Sequence, residues 1–331
     1  MLKGKFYIKS DLSRVIPILS LFLLSIVGYW QISFHKHPLK WDSMEQSYPW
    51  KYFIGDCLQN GILPLWNPYT HCGYPIHADT QSSAWYPITW LFGYFFGYDI
   101  YIFTTDFIFH IFLAGLGMFI LGRKMEFNKN IALAMGIAYM FCGFFIGNAQ
   151  HFMWIIAGTW LPFIIYSYLE LAKERKILNA IVFSLFMFLM LTGAYPAFTM
   201  ILAYFLMILF LFFLYQVIKS ESRKSILQFL KINMVAFLFT LLNGMVLLVS
   251  VYKALPYTIR TEGITLDVAL YGPLSPRSLI SFLLPFGTVH QDMSGFDTDL
   301  SMANAYFGLL LLVFFILAFV IKKPPIIKLF I

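Results

Sequence analysis

Acids, amides, histidines and tryptophans are concentrated between Trp41 and Trp90, more densely than anywhere else in the chain. Aromatic rings in this segment could stack on sugar rings while neighbouring polar side chains hydrogen-bond the sugar hydroxyls. The simpler interpretation is that the rings pack at a membrane surface, where Trp and Tyr are enriched. The candidate sugar-contacting residues are Trp66, Asn67, His77, Asp79 and Gln81.

A short helix is predicted inside this segment. Apolar residues recur there at helical spacing, at Trp50, Phe53, Ile54, Cys57 and Leu58. Pro49 suits the first helical position, and Gly61 suits the position after the last. We expect an amphipathic helix lying in the membrane interface, with Lys51, Asp56 and Gln59 towards water. The alternative is a helix that only packs on the rest of the protein and covers it.

Beyond Gly61 the chain is predicted to form an ordered loop. Pro64, Pro68, Pro75 and Pro87 argue against long helices there. We therefore place a long loop over residues 35–99.

The three cysteines give neither a zinc site nor a redox motif, because no two of them have CxxC spacing. Cys57 and Cys72 share the long loop, and a disulfide between them would contribute about 3 kcal/mol. Two free thiols are the other alternative, and the spacing does not decide between them.

The composition excludes an ordinary soluble domain. Of the 331 residues, 60% are hydrophobic and only 12% are charged, and the mean hydropathy is +0.74. This composition predicts a single all-α polytopic membrane domain over residues 1–331. No Gly-rich phosphate loop is present, which argues against nucleotide chemistry. We attribute the net charge of +7 to basic cytoplasmic loops rather than to nucleic-acid binding.

About eight transmembrane helices are expected from apolar runs long enough to cross a bilayer. The first run is too long for a cleaved signal peptide and is interpreted as an uncleaved span. The eight predicted spans are residues 15–34, 100–121, 131–147, 153–172, 177–194, 197–218, 232–252 and 305–321.

The distribution of basic residues predicts the orientation. One side of these spans holds 17 of the 23 Lys and Arg residues, and the loops 35–99 and 253–304 fall on the other side. Basic loops face the cytoplasm in membrane proteins. Both termini are therefore expected in the cytoplasm, with the two long loops on the outer face.

Two ionisable residues fall inside the second predicted span. Asp106 and His110 lie four residues apart and so share one helix face. Ionisable groups in lipid are rare and point to a cavity or to a partner. Asp106 either borders an outer cavity, together with Asn148, Gln150 and His151, or pairs with another helix.

The order of Asp42, Gln46 and Pro49, followed by LQNGILPLWNPYTHCGYPIHADTQSSAWYP, resembles the first loop of the YfhO family of bacterial membrane proteins. The resemblance is strongest over about residues 40–95, and the segments SPRSLISFLLP and AYFGLLLL fit more loosely. That family is assigned to the GT-C class of glycosyltransferases, multi-span enzymes that take sugars from polyprenyl-phosphate lipids. Its members are usually much longer, so the chain could be the N-terminal part of a longer protein.

The resemblance implies roles for particular residues. Asp42 would be the catalytic base at the membrane edge, oriented by Glu45 and Gln46. Asp79 would be a second catalytic acid, or a metal ligand together with Asp42. The alternative for Asp42 is a solvated acid flanking a helix.

The departing phosphate would need a cationic partner on the outer side. The candidates are Lys51, Lys253, Arg260 and Arg277, and the arginines rank first because a guanidinium fork matches phosphate geometry. His290 belongs to a polar cluster in the second long loop, where a divalent cation such as Mg or Mn could bind. The alternative for each basic residue is snorkelling to lipid headgroups.

The function expected from this resemblance is transfer of a sugar from a polyprenyl-phosphate donor to an envelope glycan, lipid or protein acceptor. The reaction would take place on the outer face of the bacterial cytoplasmic membrane. A lipid-linked saccharide transporter or flippase and a non-catalytic membrane scaffold are the alternatives.

Overall fold

The computed structural model describes residues 12–70 and 72–258, together with short pieces between 263 and 317. Within these residues the chain is helical, and the only pairing of extended backbone is a single bridge between Asn67 and Tyr74. This agrees with the predicted all-α class.

The helices follow the chain in this order: α1 Leu12–Gly28, α2 Trp30–Ser33, α3 Tyr48–Gln59, α4 Pro87–Phe96, α5 Ile100–Lys124, α6 Lys129–Met140, α7 Gly143–Gly147, α8 Phe152–Glu174, α9 Ile177–Gly193, α10 Pro196–Ser220, α11 Arg223–Ala254 and α12 Leu266–Ala269. A π-helical turn over Ser43–Ser47 leads directly into α3. Short 3-10 helices lie at Ile76–Ala78, Leu255–Tyr257 and Pro276–Phe282.

Five helical stretches of the described chain are long and apolar enough to cross a membrane. They are α5, residues 129–147, α8, α10 and residues 223–257. The apolar helices α1 and α9 are shorter than the other five. The protein is thus an α-helical polytopic membrane protein, and most of the predicted span 305–321 lies outside the described residues.

The first predicted span, 15–34, is interrupted. Helix α1 ends at Gly28, and Tyr29 separates it from the single turn of α2. Any side chain at position 28 would collide with the Phe141 ring, which stacks on Tyr29 with ring centroids 5.6 Å apart. The Tyr29 hydroxyl donates a hydrogen bond to the Met140 carbonyl at 2.9 Å, which fixes this break against α6.

Helix α8 is the centre of the bundle. It packs on α5 and α9, and 72% of its apolar stretch is buried, against 11% for α10. Helix α1 packs on α5 and α6, and α11 packs mainly on α9. Because α10 exposes most of its apolar side chains, it is the helix with most surface for lipid contact.

The helix predicted from Pro49 is present, with the bounds Tyr48–Gln59. Gly61 has a φ of +70°, as expected for a residue that ends a helix in the left-handed region. The segment 35–99 also contains a second helix that was not predicted, α4, which follows α3. Pro87 sits in the first turn of α4, where proline fits, so it starts a helix rather than preventing one.

Two glycines allow α3 and α4 to pack closely. A Cβ at Gly93 would lie 3.1 Å from the Cα of Gly55, and a Cβ at Gly55 would lie 3.2 Å from the backbone nitrogen of Tyr98. These contacts are with backbone atoms, which cannot swing away as a flexible side chain could. The glycine inside α3 therefore has a packing role.

The bundle has two distinct ends. The loop end is where α5 and α8 begin; hydrogen bonds from Ser43 to Ala149 and from Ser83 to Gly193 tie the loop to it. The basic end is where α5, α8 and α10 finish, near Lys124, Arg175 and Ser220.

Replacing Gly93 with Leu should lower the stability of the protein by about 1–3 kcal/mol, because the side chain would overpack the contact between α3 and α4. Gly147→Leu is the matched control, since a Cβ at Gly147 meets nothing within 4 Å. Thermal unfolding of the detergent-solubilised variants measures both effects. Equal melting temperatures for the two variants would contradict the close packing of Gly55 and Gly93.

Candidate functional site

Lys51 is the buried link between the loop and the bundle. Its Nζ donates a hydrogen bond to Asp106 Oδ2 at 2.6 Å, and the two side chains are 3% and 0% exposed. The expectation that Lys51 faces water was therefore wrong, and the pairing of its ammonium with Asp106 argues against a role in binding substrate phosphate. Of the two alternatives for Asp106, pairing with another helix is the one observed.

The direction of Lys51 follows from the helical period. Three residues at helical spacing from Lys51 follow it, three, four and seven positions on, and all are buried with it: Ile54, Gly55 and Leu58. Lys51 thus lies on the buried face of α3. Because it is charged, it was expected on the water-facing side.

Several groups stabilise the ammonium of Lys51 in this buried position. It donates a second hydrogen bond to the Thr89 hydroxyl at 3.2 Å. It also lies 4.3 Å from the centre of the Phe152 ring, within the range of a cation–π interaction. Tyr98 donates a hydrogen bond to the same Asp106 Oδ2 at 2.9 Å. Burial raises the pKa of Tyr98, and the negative charge of Asp106 adds to this effect.

His110 continues the network on the other side of Asp106. Its Nδ1 lies 2.7 Å from the Asp106 carbonyl oxygen and 3.0 Å from Asp106 Oδ1, and the hydrogen-bond geometry favours the carbonyl. Its Nε2 lies 2.8 Å from the Tyr86 hydroxyl, which accepts a hydrogen bond from Trp160 Nε1 at 2.8 Å. With a proton on Nδ1, the imidazole donates to the Asp106 carbonyl and its Nε2 accepts from the Tyr86 hydroxyl, whereas Asp106 Oδ1 has no hydrogen-bond partner.

We call Lys51, Tyr86, Tyr98, Asp106, His110 and Trp160 the anchor network. It joins α3, the residue before α4 and the short turn between α4 and α5 to the two central helices α5 and α8. Tyr86 is also packed against α9, where a Cβ at Gly193 would lie 2.7 Å from its ring. The network thus fixes the loop in one position on the bundle.

Asp42 is placed at the loop end with its carboxylate accessible. Its Oδ2 lies 3.1 Å from His151 Nδ1, and the side chains of Asp42 and His151 are 42% and 17% exposed. The neighbouring residue Ser43 donates a hydrogen bond to the Ala149 carbonyl at 2.8 Å. These contacts bring the end of the first helical region onto the turn before α8.

The anchor network holds both partners of the Asp42–His151 pair. His151 directly precedes Phe152, whose ring packs against the Lys51 ammonium and the His110 ring. Asp42 directly precedes the π-helical turn that runs into α3, the helix carrying Lys51. The carboxylate and the imidazole therefore both adjoin segments that the buried ion pair joins.

An aromatic layer separates the Asp42–His151 pair from an apolar cavity. The His151 ring stacks on Trp154 with centroids 4.4 Å apart, and Trp154 contacts Phe198 at 5.4 Å. Phe198 lines a cavity of about 410 Å³ between α6, α8, α9 and α10. Ile201 and Phe205 also line it, and both are exposed on the outer surface of α10.

The other predicted residues of the first loop do not converge on Asp42. Glu45 and Gln46 are exposed on the next turn, and Trp66 is 58% exposed beside Gly73. The buried Asn67 accepts a hydrogen bond from the Tyr69 backbone N–H at 3.0 Å and so shapes its own turn.

Three more predicted residues support the loop itself. His77 Nδ1 lies 2.6 Å from the Leu65 carbonyl, and Asp79 Oδ1 accepts a hydrogen bond from the Gln81 backbone N–H at 2.9 Å. Gln81 lines a small cleft beside Lys51 and Ser47. These contacts help to order a loop that contains three prolines.

The predicted residues of the second long loop are only partly described. Arg277 is exposed on the 3-10 helix Pro276–Phe282, whereas Arg260 and His290 lie outside the described residues. In the described part of the chain, no group of three or more His, Cys, Asp or Glu side chains could hold a metal ion. Cys57 and Cys72 are unbonded, and burial raises the pKa of the Cys57 thiol.

The fold defines a helical polytopic membrane protein with a structured loop fixed to one end of its bundle. The profile described as "Bacterial membrane protein YfhO" matches residues 87–328, which is well over half of the chain. The chain belongs to this family of bacterial membrane proteins. No curated protein matches it, and no solved structure matches it.

The matched stretch differs from the one in which the resemblance was expected to be strongest. It begins at residue 87, so Asp42 and most of the segment 40–95 lie outside it. Asp106, His110 and His151 lie inside it. The sequence missed the pairing of His151 with Asp42, because 109 positions separate the two residues and no local pattern connects them.

Lys51→Met should lower the free energy of unfolding by about 3–5 kcal/mol, because it leaves the Asp106 carboxylate buried without its cation. The double variant Lys51→Met, Asp106→Leu should recover most of this loss, since apolar residues can replace a buried ion pair. Lys40→Met, at an exposed position, is the control. Thermal unfolding in detergent tests the series, and a Lys51→Met protein as stable as the control would contradict the anchor.

Proposed function

We propose that this protein is a membrane glycosyltransferase of GT-C type, with Asp42 as its general base. It would transfer a sugar from a polyprenyl-phosphate donor to an envelope acceptor on the outer face of the bacterial cytoplasmic membrane. The observation that supports the proposal is the Asp42–His151 pair, a partly exposed carboxylate at the loop end of the bundle.

Asp42 suits the role of a base in position and in chemistry. Its carboxylate would take the proton of the acceptor hydroxyl as that oxygen forms a bond to the anomeric carbon of the sugar. The bond from this carbon to the phosphate oxygen breaks, and the polyprenyl phosphate leaves with both bonding electrons. His151 positions the carboxylate, and Trp154 holds the imidazole ring by stacking.

The apolar cavity supports a lipid-linked donor. Its lining residue Phe198 contacts Trp154, so the space for an apolar chain begins one aromatic layer from the candidate base. Its wall includes exposed residues of α10, where a chain could enter from the bilayer. A donor with its tail in this cavity would present its phosphate and sugar towards the loop end.

The remaining sequence-based assignments belong to this proposal. Arg277 and Arg260 would stabilise the departing phosphate, while Trp66, His77, Asp79 and Gln81 would line the sugar side of the site. The proposal also includes the predicted topology. It has eight membrane spans, both termini in the cytoplasm and the loop end on the outer face. A divalent cation would need residues beyond the described ones for a full set of ligands.

The transporter alternative would need polar side chains that line a passage through the bundle. In the described spans, the main polar side chains form hydrogen bonds with other groups of the protein instead of lining a passage. Asp106 and His110 belong to the anchor network, Asn243 donates a hydrogen bond to Ser184 at 3.3 Å, and Tyr168 donates one to Asn233 at 3.2 Å. This arrangement favours a transferase over a flippase.

Asp42→Asn should reduce sugar transfer by about 10²–10⁴-fold, because an amide cannot accept the acceptor proton. The variant keeps the shape of the side chain, so its melting temperature should stay close to that of the wild type. Asp56→Asn is the matched control, an exposed acid of α3 that should leave transfer unchanged. Normal envelope glycosylation in cells carrying a correctly inserted Asp42→Asn protein would remove Asp42 from the mechanism.

Reconstitution separates the proposed activity from its alternatives. Proteoliposomes containing the protein and a radiolabelled polyprenyl-phosphate sugar should transfer the label to added envelope acceptor. Movement of the label between leaflets without transfer would indicate a flippase. Neither transfer nor movement, with a protein that still binds the lipid, would indicate a scaffold.

A further inference from the structure

A second cavity lies at the basic end, on the opposite side of the bundle from Asp42. It has a volume of about 830 Å³ and is bordered by the end of α5, the end of α8 and the end of α10. Apolar and charged residues both line it, which distinguishes it from the apolar cavity near Phe198. We call it the basic-end cavity.

Two of the cations at this cavity are already neutralised. The Arg175 guanidinium binds both carboxylate oxygens of Glu221, at 2.6 and 2.7 Å, and packs over the Phe229 ring. Lys124 forms an ion pair with Glu170. These contacts build a fixed polar wall, and neither residue needs a ligand to balance its charge.

Lys173, unlike Arg175 and Lys124, is not neutralised by a carboxylate of the described residues. It lines the cavity and is exposed, and among the described residues no carboxylate lies within ion-pairing distance of its ammonium. A lysine bordering a cavity without a protein partner offers up to three hydrogen-bond donors to an anion. The site therefore has an available positive charge at one defined position.

The rest of the lining determines which anion fits. Leu169 of α8 and Phe213 and Val217 of α10 form an apolar wall that continues from Lys173 towards the interior of the spans. An inorganic phosphate would leave this wall in contact with water. A ligand with a phosphate group next to hydrocarbon would bury it.

We propose that the basic-end cavity binds an anionic phospholipid, with its phosphate on Lys173 and the upper part of an acyl chain along Leu169, Phe213 and Val217. The depth is suitable, because α8 and α10 both end here, where spanning helices meet the headgroup region. Glu126 also lines the cavity, so the phosphate has to sit on the α8 side. This inference does not depend on the proposed transferase activity.

The test compares Lys173→Gln with Lys176→Gln. Lys176 is three residues away and equally charged, but it pairs with Glu174 at 3.0 Å and does not line the cavity. Phosphatidylglycerol is titrated into the delipidated detergent-solubilised protein, and the bound lipid is counted by native mass spectrometry. Lys173→Gln should weaken binding about tenfold, the effect expected for the loss of a charge-assisted hydrogen bond, while Lys176→Gln should bind like the wild type.

Two further arms identify the ligand. Inorganic phosphate should fail to displace phosphatidylglycerol at millimolar concentration, and effective displacement would overturn the lipid assignment in favour of a free phosphate site. Leu169→Gln should also weaken lipid binding while leaving the melting temperature near that of the wild type. Equal weakening by Lys173→Gln and Lys176→Gln, or no weakening by either, would overturn the proposal.

Discussion

Moving an ammonium group and a carboxylate out of water costs several kcal/mol per ion, so a buried ion pair is stable only when its geometry and its other hydrogen bonds are good. The Lys51–Asp106 pair meets this condition through Thr89 and Tyr98. A displaced α3 would leave one charge buried without its partner, which makes other positions of the loop unfavourable. The pair therefore selects one register of the loop on the bundle, even if it adds little net stability.

The Asp42–His151 pair inherits its geometry from this anchor. A base has to remain accessible to its substrate, and accessible side chains on loops are usually mobile. Here both residues directly adjoin segments that contact Lys51 or carry it, which favours one defined position for the pair. The buried Lys51–Asp106 pair, which a substrate cannot reach, thus supports the exposed Asp42–His151 pair, where the proposed chemistry would occur. Supporting contacts of this kind give a site the precision that catalysis needs.

Basic side chains differ in burial and pairing between the two ends of the bundle. At the loop end a lysine is buried and neutralised inside the protein, whereas at the basic end Lys173 remains exposed beside an apolar wall. The first arrangement holds parts of the chain together, and the second leaves charge available for a ligand from outside. This difference explains why similar basic residues, Lys51 and Lys173, lead to a structural assignment in one case and a proposed binding site in the other.

The sequence by itself determined the class of protein and most of its helices. Composition identified a polytopic membrane protein, and apolar runs located α5, α8, α9 and α10 to within a few residues, because bilayer thickness and helical rise constrain such segments strongly. Helical period and end signals located α3 in the same way. The missed helix, α4, begins at a proline that fits a first turn as well as a loop. Only the tertiary structure decided where Lys51 points and which partners Asp106 and Asp42 take. Those contacts join residues 55 and 109 positions apart, and no local pattern records which distant side chain will neutralise a charge.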